Sequence, residues 1–157
     1  MKPLAGLFLA LFGVAVLLVA AGFGLDAFAR SRPQDLSALR MRTAHVRGAT
    51  LTLAVADQPD SVGRGLSGQG SLGSLDGLLL VSPDSDNTRV TMLGMNFPLD
   101  LLWVSADGEI LHVEENARAG LWPLWHSSPE PAAQVVELSA GSVKAHKLAA
   151  GDRITFV

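Results

Sequence analysis

Three charged residues in the sequence have the chemical types that acid–base catalysis or anion binding requires. Asp100 lies within an apolar run, where strand alternation turns its side chain away from the neighbouring leucines. A carboxylate there is either exposed or buried against a donor such as Arg64, and we expect a structural ion pair or a backbone cap in preference to a ligand contact. In an enzyme, Asp100 or Glu137 would act as the general base, and Arg64 would hold an anion.

A second candidate site is an aromatic cluster in the predicted loop from Ala117 to Pro131, which contains three prolines. The cluster consists of Trp122, Trp125 and His126. Large aromatic residues in such a loop either pin it to the core or present a platform for a ligand or a partner, and contact with a membrane interface is a third alternative. Together with Arg64 and Asp100, these three residues are the candidates for ligand or partner binding.

Metal and cofactor chemistry has little support in the sequence. His112 and Glu114 are two residues apart on a predicted strand, so both face the same side. A metal ion would need two further ligands, and neither His126 nor His146 has a convincing spacing. We therefore predict no metal site and no cofactor.

Several function classes are excluded by what the sequence lacks. The 157 residues include no cysteine, which excludes a disulfide scaffold, a cysteine-based zinc site and a cysteine nucleophile. No Gly-x-Ser-x-Gly nucleophile motif and no phosphate-binding loop occur. The formal net charge of −3 argues against nucleic acid as a main partner. A non-enzymatic function is therefore favoured.

The N-terminus contains an apolar segment of 22 residues, from Leu4 to Leu25, without any charged side chain. As a helix it would be about 33 Å long, which matches the hydrocarbon core of a bilayer. We expect a membrane anchor, with cleavage after Ala29 as the alternative because Ala27-Phe28-Ala29 has the form of a signal-peptidase site. The globular part is expected on the extracytoplasmic side, although Arg30, Arg32 and nearby arginines would favour the cytoplasm by the positive-inside rule.

Short strand-like segments dominate the remainder of the sequence. Residues 50–56 alternate between apolar and small or polar side chains, and residues 99–104 and 109–114 flank an Asp107-Gly108 turn typical of a hairpin. Further strands are predicted at 78–81, 88–92, 134–138 and 153–157, with two short helices near 59–66 and 140–147. The pattern predicts a mainly β (α+β) fold, a compact sandwich or barrel-like domain with two short helices, preceded by one transmembrane helix. The predicted divisions are an anchor or signal segment (1–29), a polar tether (30–42) and a globular domain (43–157).

Several short motifs occur in an order that is similar to that of a known family. They include Val55-Ala-Asp57, Arg64-Gly-Leu66, Pro98-Leu-Asp100, Asp107-Gly108 and Gly151-Asp152-Arg-Ile154. In this order and spacing, residues 51–157 resemble the prokaryotic domain-of-unknown-function family 192, whose members are often exported or membrane-tethered. The resemblance implies a compact β-rich domain and brings no established catalytic residues.

The sequence departs from the pattern of this family in two places. The family has a Trp-Met-Lys-Asn-Thr-like stretch before Pro-Leu-Asp, whereas this chain has Thr91-Met-Leu-Gly-Met95 and lacks the lysine and the asparagine. The methionine that follows Arg64-Gly-Leu66 in the family is replaced by Ser67-Gly68. The resemblance therefore does not carry a polar site from the first stretch over to this chain.

These observations favour a membrane-anchored or exported β-rich domain that acts by binding a small ligand, a peptide or an envelope protein. The alternative is an enzyme with an acid–base site around Asp100, Glu137 and Arg64, and a purely structural envelope protein is a third hypothesis. The enzyme hypothesis requires that these side chains converge in one pocket.

Overall fold

The computed structural model describes residues 33–82, 88–118 and 125–157. The apolar segment from Leu4 to Leu25, the cleavage site after Ala29 and the aromatic candidate Trp122 lie outside the described residues. Within the described ranges, no helix combines the length and the apolar character that crossing a membrane requires.

Short strands make up most of the described chain. In order, the elements are a 3-10 helix Leu36–Ala38, β1 Arg40–Val46, β2 Ala49–Ala56, α1 Pro59–Arg64, β3 Gly77–Val81, β4 Arg89–Val90, β5 Leu99–Val104, β6 Ile110–Ala117, β7 His126–Ser127, β8 Gln134–Ser139, α2 Ser142–His146 and β9 Thr155–Phe156. The mainly β class with two short α-helices is thus confirmed, and so is the hairpin, in which β5 pairs with β6.

Seven strands form one sheet in the order β6-β5-β8-β3-β2-β1-β9, and β4 pairs with β7 in a separate ribbon. Neighbouring strands are antiparallel except β2 and β3. A parallel pair needs a crossover connection, and residues 57–76, which include α1, provide it. Val62 of α1 packs against the apolar core on one side of the sheet, so the crossover covers that side.

The sheet curls, so that the start of β6 contacts the residues just before β9. The Ile110 amide at the start of β6 donates to the Asp152 carbonyl, and the Ile154 amide before β9 donates to the Gly108 carbonyl, both at 2.8 Å. Gly108 has φ +90°, and a Cβ atom there would overlap the carbonyl oxygen of Ile154. Glycine is therefore required at this contact. The result is a half-barrel made of one curled sheet. From the sequence, both a sandwich of two facing sheets and a barrel-like domain had been predicted as alternatives.

The two sides of the sheet carry separate apolar cores. On one side, which we call the α2 face, Leu53, Leu79, Leu102, Val136 and Leu138 pack beneath Val143 and Leu148. On the other, the cavity face, Leu78, Leu101, Trp103 and Val135 pack beneath Leu66, Val90, Met92 and Met95. Strands with both faces buried have continuous apolar sequences, which explains why residues 78–81 do not alternate.

Strand β1 begins at Arg40, inside the segment predicted as a tether. Among its residues only Ala44 and Val46 are buried, so the strand lacks the regular apolar alternation that reveals strands in a sequence. Leu36 and Leu39 pack against the core of the cavity face. The described part of the predicted tether is therefore attached to the domain.

Candidate functional site

A cavity of about 800 Å³ lies on the cavity face of the sheet. It is bounded by α1 and the turn that follows it, by the β4–β7 ribbon and by the loop that precedes β5. Its lining combines ionisable, hydroxyl and apolar side chains, among them Asp60, Arg64, Arg89, Leu93, Trp125 and Glu137. Because these residues come from four separate parts of the chain, their meeting depends on the crossover and on the ribbon.

Glu137 is the buried acid of this cavity. Strand alternation turns Glu137 of β8 to the cavity face, together with Val135. The residue is 3% exposed, and its Oε2 atom has no hydrogen-bond partner among the described residues. Burial raises the pKa of Glu137 to about 8, because a carboxylate is poorly solvated in this environment. At neutral pH the carboxyl group is therefore mostly protonated and can donate a hydrogen bond.

The turn after α1 covers this carboxyl group. Gly65 has φ +47°, and a Cβ atom there would lie 3.7 Å from Glu137 Oε2. The amide of Gln34 donates to the Ser61 carbonyl (3.1 Å) and to the Gly65 carbonyl (2.7 Å), and the Gln69 amide donates to the Gln34 carbonyl (2.5 Å). The Ser61 carbonyl also accepts from the Gly65 amide, and the Gly65 carbonyl lies beyond the last helical residue, so Gln34 stabilises the end of α1. Gln34, a residue of the predicted tether, thus stabilises the turn that covers the cavity.

Arg64 supplies a cationic group at the cavity. It lies in the last turn of α1 and pairs with Asp60 one turn earlier, with 3.0 Å between Arg64 Nη2 and Asp60 Oδ2. The side chains are 35% and 80% exposed, and exposed pairs of this kind contribute little to stability. The guanidinium group can therefore exchange its partner for a bound anion at small cost. Arg89 of β4 also lines the cavity.

Asp100 lies away from the cavity, on the α2 face. It is fully buried, and its carboxylate accepts hydrogen bonds of 2.9 Å from the backbone amides of Asn116, Gly141 and Val143. Two of these donors stand at the start of α2, so Asp100 caps that helix from a neighbouring strand. The expectation of a backbone cap is confirmed. The structure does not assemble an acid–base site from Asp100, Glu137 and Arg64, because only the last two line the cavity.

The two described aromatic candidates differ in their surroundings. His126 is 6% exposed, and its Nδ1 atom lies 2.7 Å from Glu114 Oε1. As part of β7 it pairs with Val90 of β4, so its contact with Glu114 of β6 connects the ribbon to the sheet. Trp125 lines the cavity and is 53% exposed. Trp125 therefore presents an open aromatic surface and does not pin the loop, and His126 connects the segment to β6.

The site also contains residues that the sequence did not single out as binding candidates. Leu93, which is 52% exposed, lines the cavity together with Ser67 and Thr91. Both stretches in which the chain departs from the family pattern therefore contribute to the lining. Glu137 had been considered only as a base, although a lone acid between Val136 and Leu138 is the signal of a buried titratable group.

Within the described ranges, no three His, Asp or Glu side chains are close enough together to hold a metal ion. Glu114, which shares a strand with His112, is instead paired with His126. The polar groups of the cavity are suited to hydrogen bonds and charge pairing with an organic ligand.

Two solved structures are similar to this chain. One is a Sinorhizobium meliloti protein provisionally described as a transcription regulator, with 28% identity and a TM-score of 0.68 over 75% of this chain and 95% of that one. The other is a Novosphingobium aromaticivorans protein of unknown function, with 20% identity and the same TM-score over 79% of this chain and 91% of that one. The comparison with curated proteins finds no match. Residues 41–156 match the model of family 192, described as "Uncharacterized ACR". The chain therefore belongs to the domain-of-unknown-function family 192.

Proposed function

We propose that this protein is a binding module, tethered to a membrane or exported, whose β-rich domain holds a small molecule in the cavity beneath α1. The observation that carries the proposal is Glu137, a buried carboxyl group with an oxygen that lacks a partner among the described residues, next to a cavity of about 800 Å³. A buried polar atom without a partner is costly, and a ligand that bonds to it would remove that cost.

Binding is favoured over catalysis for two reasons. Asp100, one of the two acids considered as a base, is committed to three backbone amides on the other face. Glu137 is mostly protonated at neutral pH, because burial raises its pKa to about 8, and a carboxyl group in this form donates a hydrogen bond and cannot accept a proton. The exposed side chains of Leu93 and Trp125 beside the cavity supply apolar contact for a ligand.

Attachment to a membrane through Leu4 to Leu25 is part of the proposal. The length and the uncharged character of this segment support it. Eight residues, 26–33, separate the segment from Gln34, which is bonded to the domain. Even fully extended, they span at most about 29 Å, so an anchored domain would stay close to the bilayer. We expect the domain on the extracytoplasmic side, and we do not expect nucleic acid as a partner.

Binding in the cavity is tested with the neutral naphthalene dye prodan and the full-length protein in a mild detergent. Saturable dye binding is expected, and it should weaken in a Leu93→Ser/Trp125→Ser double variant. Met41→Ser is the matched control, because Met41 is a similarly exposed apolar residue (42%) outside the cavity lining. Dye binding that is absent, or equal in the control and the double variant, would refute the cavity as a binding site.

Location is tested by cell fractionation and by a reporter that is active only outside the cytoplasm, fused after Val157. Membrane association and an active reporter are expected. Recovery of the uncleaved chain entirely in the aqueous fraction would refute anchoring, and an inactive reporter would refute the orientation.

A further inference from the structure

Two large apolar side chains stay exposed at the border of the cavity. Leu93, in the loop before β5, and Trp125, directly before β7, both line the cavity and are 52% and 53% exposed. In the same loop as Leu93, Met92 and Met95 are buried in the core of the cavity face. Leu93 and Trp125 belong to neither apolar core. Exposed apolar side chains that lie together at a cavity are typical of an interaction surface, and we call these two residues the apolar rim.

The N-terminal part of the domain is attached at the border of the same cavity. Gln34 donates to the carbonyls of Ser61 and Gly65, and Gly65 lines the cavity. Leu36 and Leu39 pack against the core of the cavity face. The chain that leads back from Gln34 to the proposed anchor therefore starts on this side of the sheet.

The length of the tether limits how an anchored domain can be oriented. Eight residues, 26–33, separate Leu25 from Gln34, and they span at most about 29 Å. A domain of about 120 residues is roughly 35 Å across. The opposite α2 face could therefore approach the bilayer only if the tether were fully extended, which is the arrangement with the lowest conformational entropy. The tether thus favours an orientation in which the cavity face is turned toward the membrane.

A bilayer surface matches the chemistry of the apolar rim. Tryptophan is enriched where membranes meet water, because its ring has an apolar body and a polar N–H group. Leucine contributes apolar surface alone. Charge is not the attraction, since the chain has a formal net charge of −3. Two side chains would hold a free domain only weakly, but an anchored domain makes the contact within one molecule, so that a weak contact is sufficient.

We propose that the apolar rim is a second membrane contact, through which the anchored domain rests on the bilayer with its cavity facing the lipid surface. Leu93 and Trp125 enter the interfacial layer of the bilayer and are removed from water there. This assignment rests on the proposed function, because it requires the anchor from Leu4 to Leu25. It adds to that function the orientation of the domain and the surface that makes the contact.

Spin labels on the two faces of the domain test this orientation. The chain has no cysteine, so a single introduced cysteine carries the nitroxide label alone. Gly63 of α1 lines the cavity, is exposed and has free space for a side chain. Ala145 of α2 is the matched control, because it is also a small exposed residue of a short helix but belongs to the α2 face. Gly63→Cys and Ala145→Cys are each measured as full-length protein in phosphatidylcholine vesicles.

The readout is how often each label collides with oxygen, which enters lipid, and with a polar nickel chelate, which lipid excludes. The Gly63 label is expected to meet the chelate several-fold less often, and oxygen more often, than the Ala145 label. This difference should persist at about 1 M salt, where charges are screened within about 3 Å. Equal collision frequencies at the two positions, at low or at high salt, would overturn the proposal. A Gly63 label shielded from both reagents would also overturn it, because that pattern indicates contact with protein, such as a second copy of the chain.

Substitution of the apolar rim tests which residues make the contact. In Leu93→Ser/Trp125→Ser, the Gly63 label should become as accessible to the chelate as the Ala145 label. Met41→Ser is the matched control, since Met41 is an exposed apolar residue outside the cavity lining, and it should leave the shielding unchanged. Shielding that persists in the double variant, or that is lost equally in Met41→Ser, would refute the role of the apolar rim.

Flotation with the vesicles and prodan binding separate the membrane contact from the proposed function. A full-length chain that does not float with the vesicles would refute the anchor, and the membrane contact with it. A chain that floats but has equal collision frequencies at Gly63 and Ala145 would refute the contact alone. Absent prodan binding together with a lipid-shielded Gly63 label would refute ligand binding in the cavity and support the membrane contact.

Discussion

Replacing Glu137 by glutamine should change how the stability of the protein depends on pH. Burial raises the pKa of Glu137 from 4.5 to about 8, so between these values the native state holds a proton that the unfolded state has released. In that interval each pH unit lowers the free energy of unfolding by about 1.4 kcal/mol. From about pH 5 to about pH 8 the wild-type protein should lose roughly 3–4 kcal/mol that Glu137→Gln does not lose.

The measurement is urea unfolding of the full-length protein in a neutral detergent, followed by tryptophan fluorescence. Trp103 is fully buried and donates to the Thr88 carbonyl at 2.9 Å, so its emission reports on the loss of the core. Glu130→Gln is the matched control, because it makes the same chemical change at an exposed position. This control should follow the wild-type pH profile.

Parallel pH profiles for the wild type and Glu137→Gln would refute the reasoning. They would mean that Glu137 has the same pKa in the folded and the unfolded protein, and hence that the carboxyl group is solvated in the native state. The hydrogen-bond donor assigned to the cavity would then be absent at neutral pH.

Three further substitutions test how the domain is held together, and their effects are to be read from urea unfolding at neutral pH. Asp100→Asn should destabilise the domain by about 2–4 kcal/mol, because an amide cannot accept from all three backbone donors. A loss of stability below about 1 kcal/mol would contradict the capping role of Asp100. Gly108→Ala should cost about 2–4 kcal/mol, because its positive φ and its contact with the Ile154 carbonyl both exclude a side chain. An unchanged unfolding midpoint would contradict this contact between Gly108 and Ile154. Gln34→Ala should cost about 1 kcal/mol, because the end of α1 loses two hydrogen bonds. The same loss should weaken prodan binding. A dye affinity equal to that of the wild type would show that Gln34 does not contribute to the shape of the cavity.

Local patterns were sufficient for the central strands and for the class of the fold. The Asp107-Gly108 turn predicted the β5–β6 hairpin because positive φ at such a turn is a local requirement. The same reasoning missed β1 at Arg40 and the two-residue strand β7, whose pairing partners supply most of their order. A strand with few buried residues has no period that a sequence can display.

The candidate site was predicted only in part. Arg64 and Trp125 were named from their residue types and surroundings in sequence, and both line the cavity. Asp100 was named in the same way, but the register of β5 turns it to the α2 face. Glu137 and Asp100 are one register step apart on adjacent strands, and that single step places them on opposite sides of the sheet.

The sequence by itself determined the β-rich class, the absence of cysteine chemistry and the membership of family 192, because composition and ordered short motifs are properties of the chain. Only the tertiary structure decided which charged residues share a cavity. The parallel pairing of β2 with β3 carries α1 across the sheet, and the β4–β7 ribbon brings in Arg89 and Trp125. Residues far apart in sequence meet Glu137 there because strand order and curvature set their distance, and neither is encoded in any local pattern of residues.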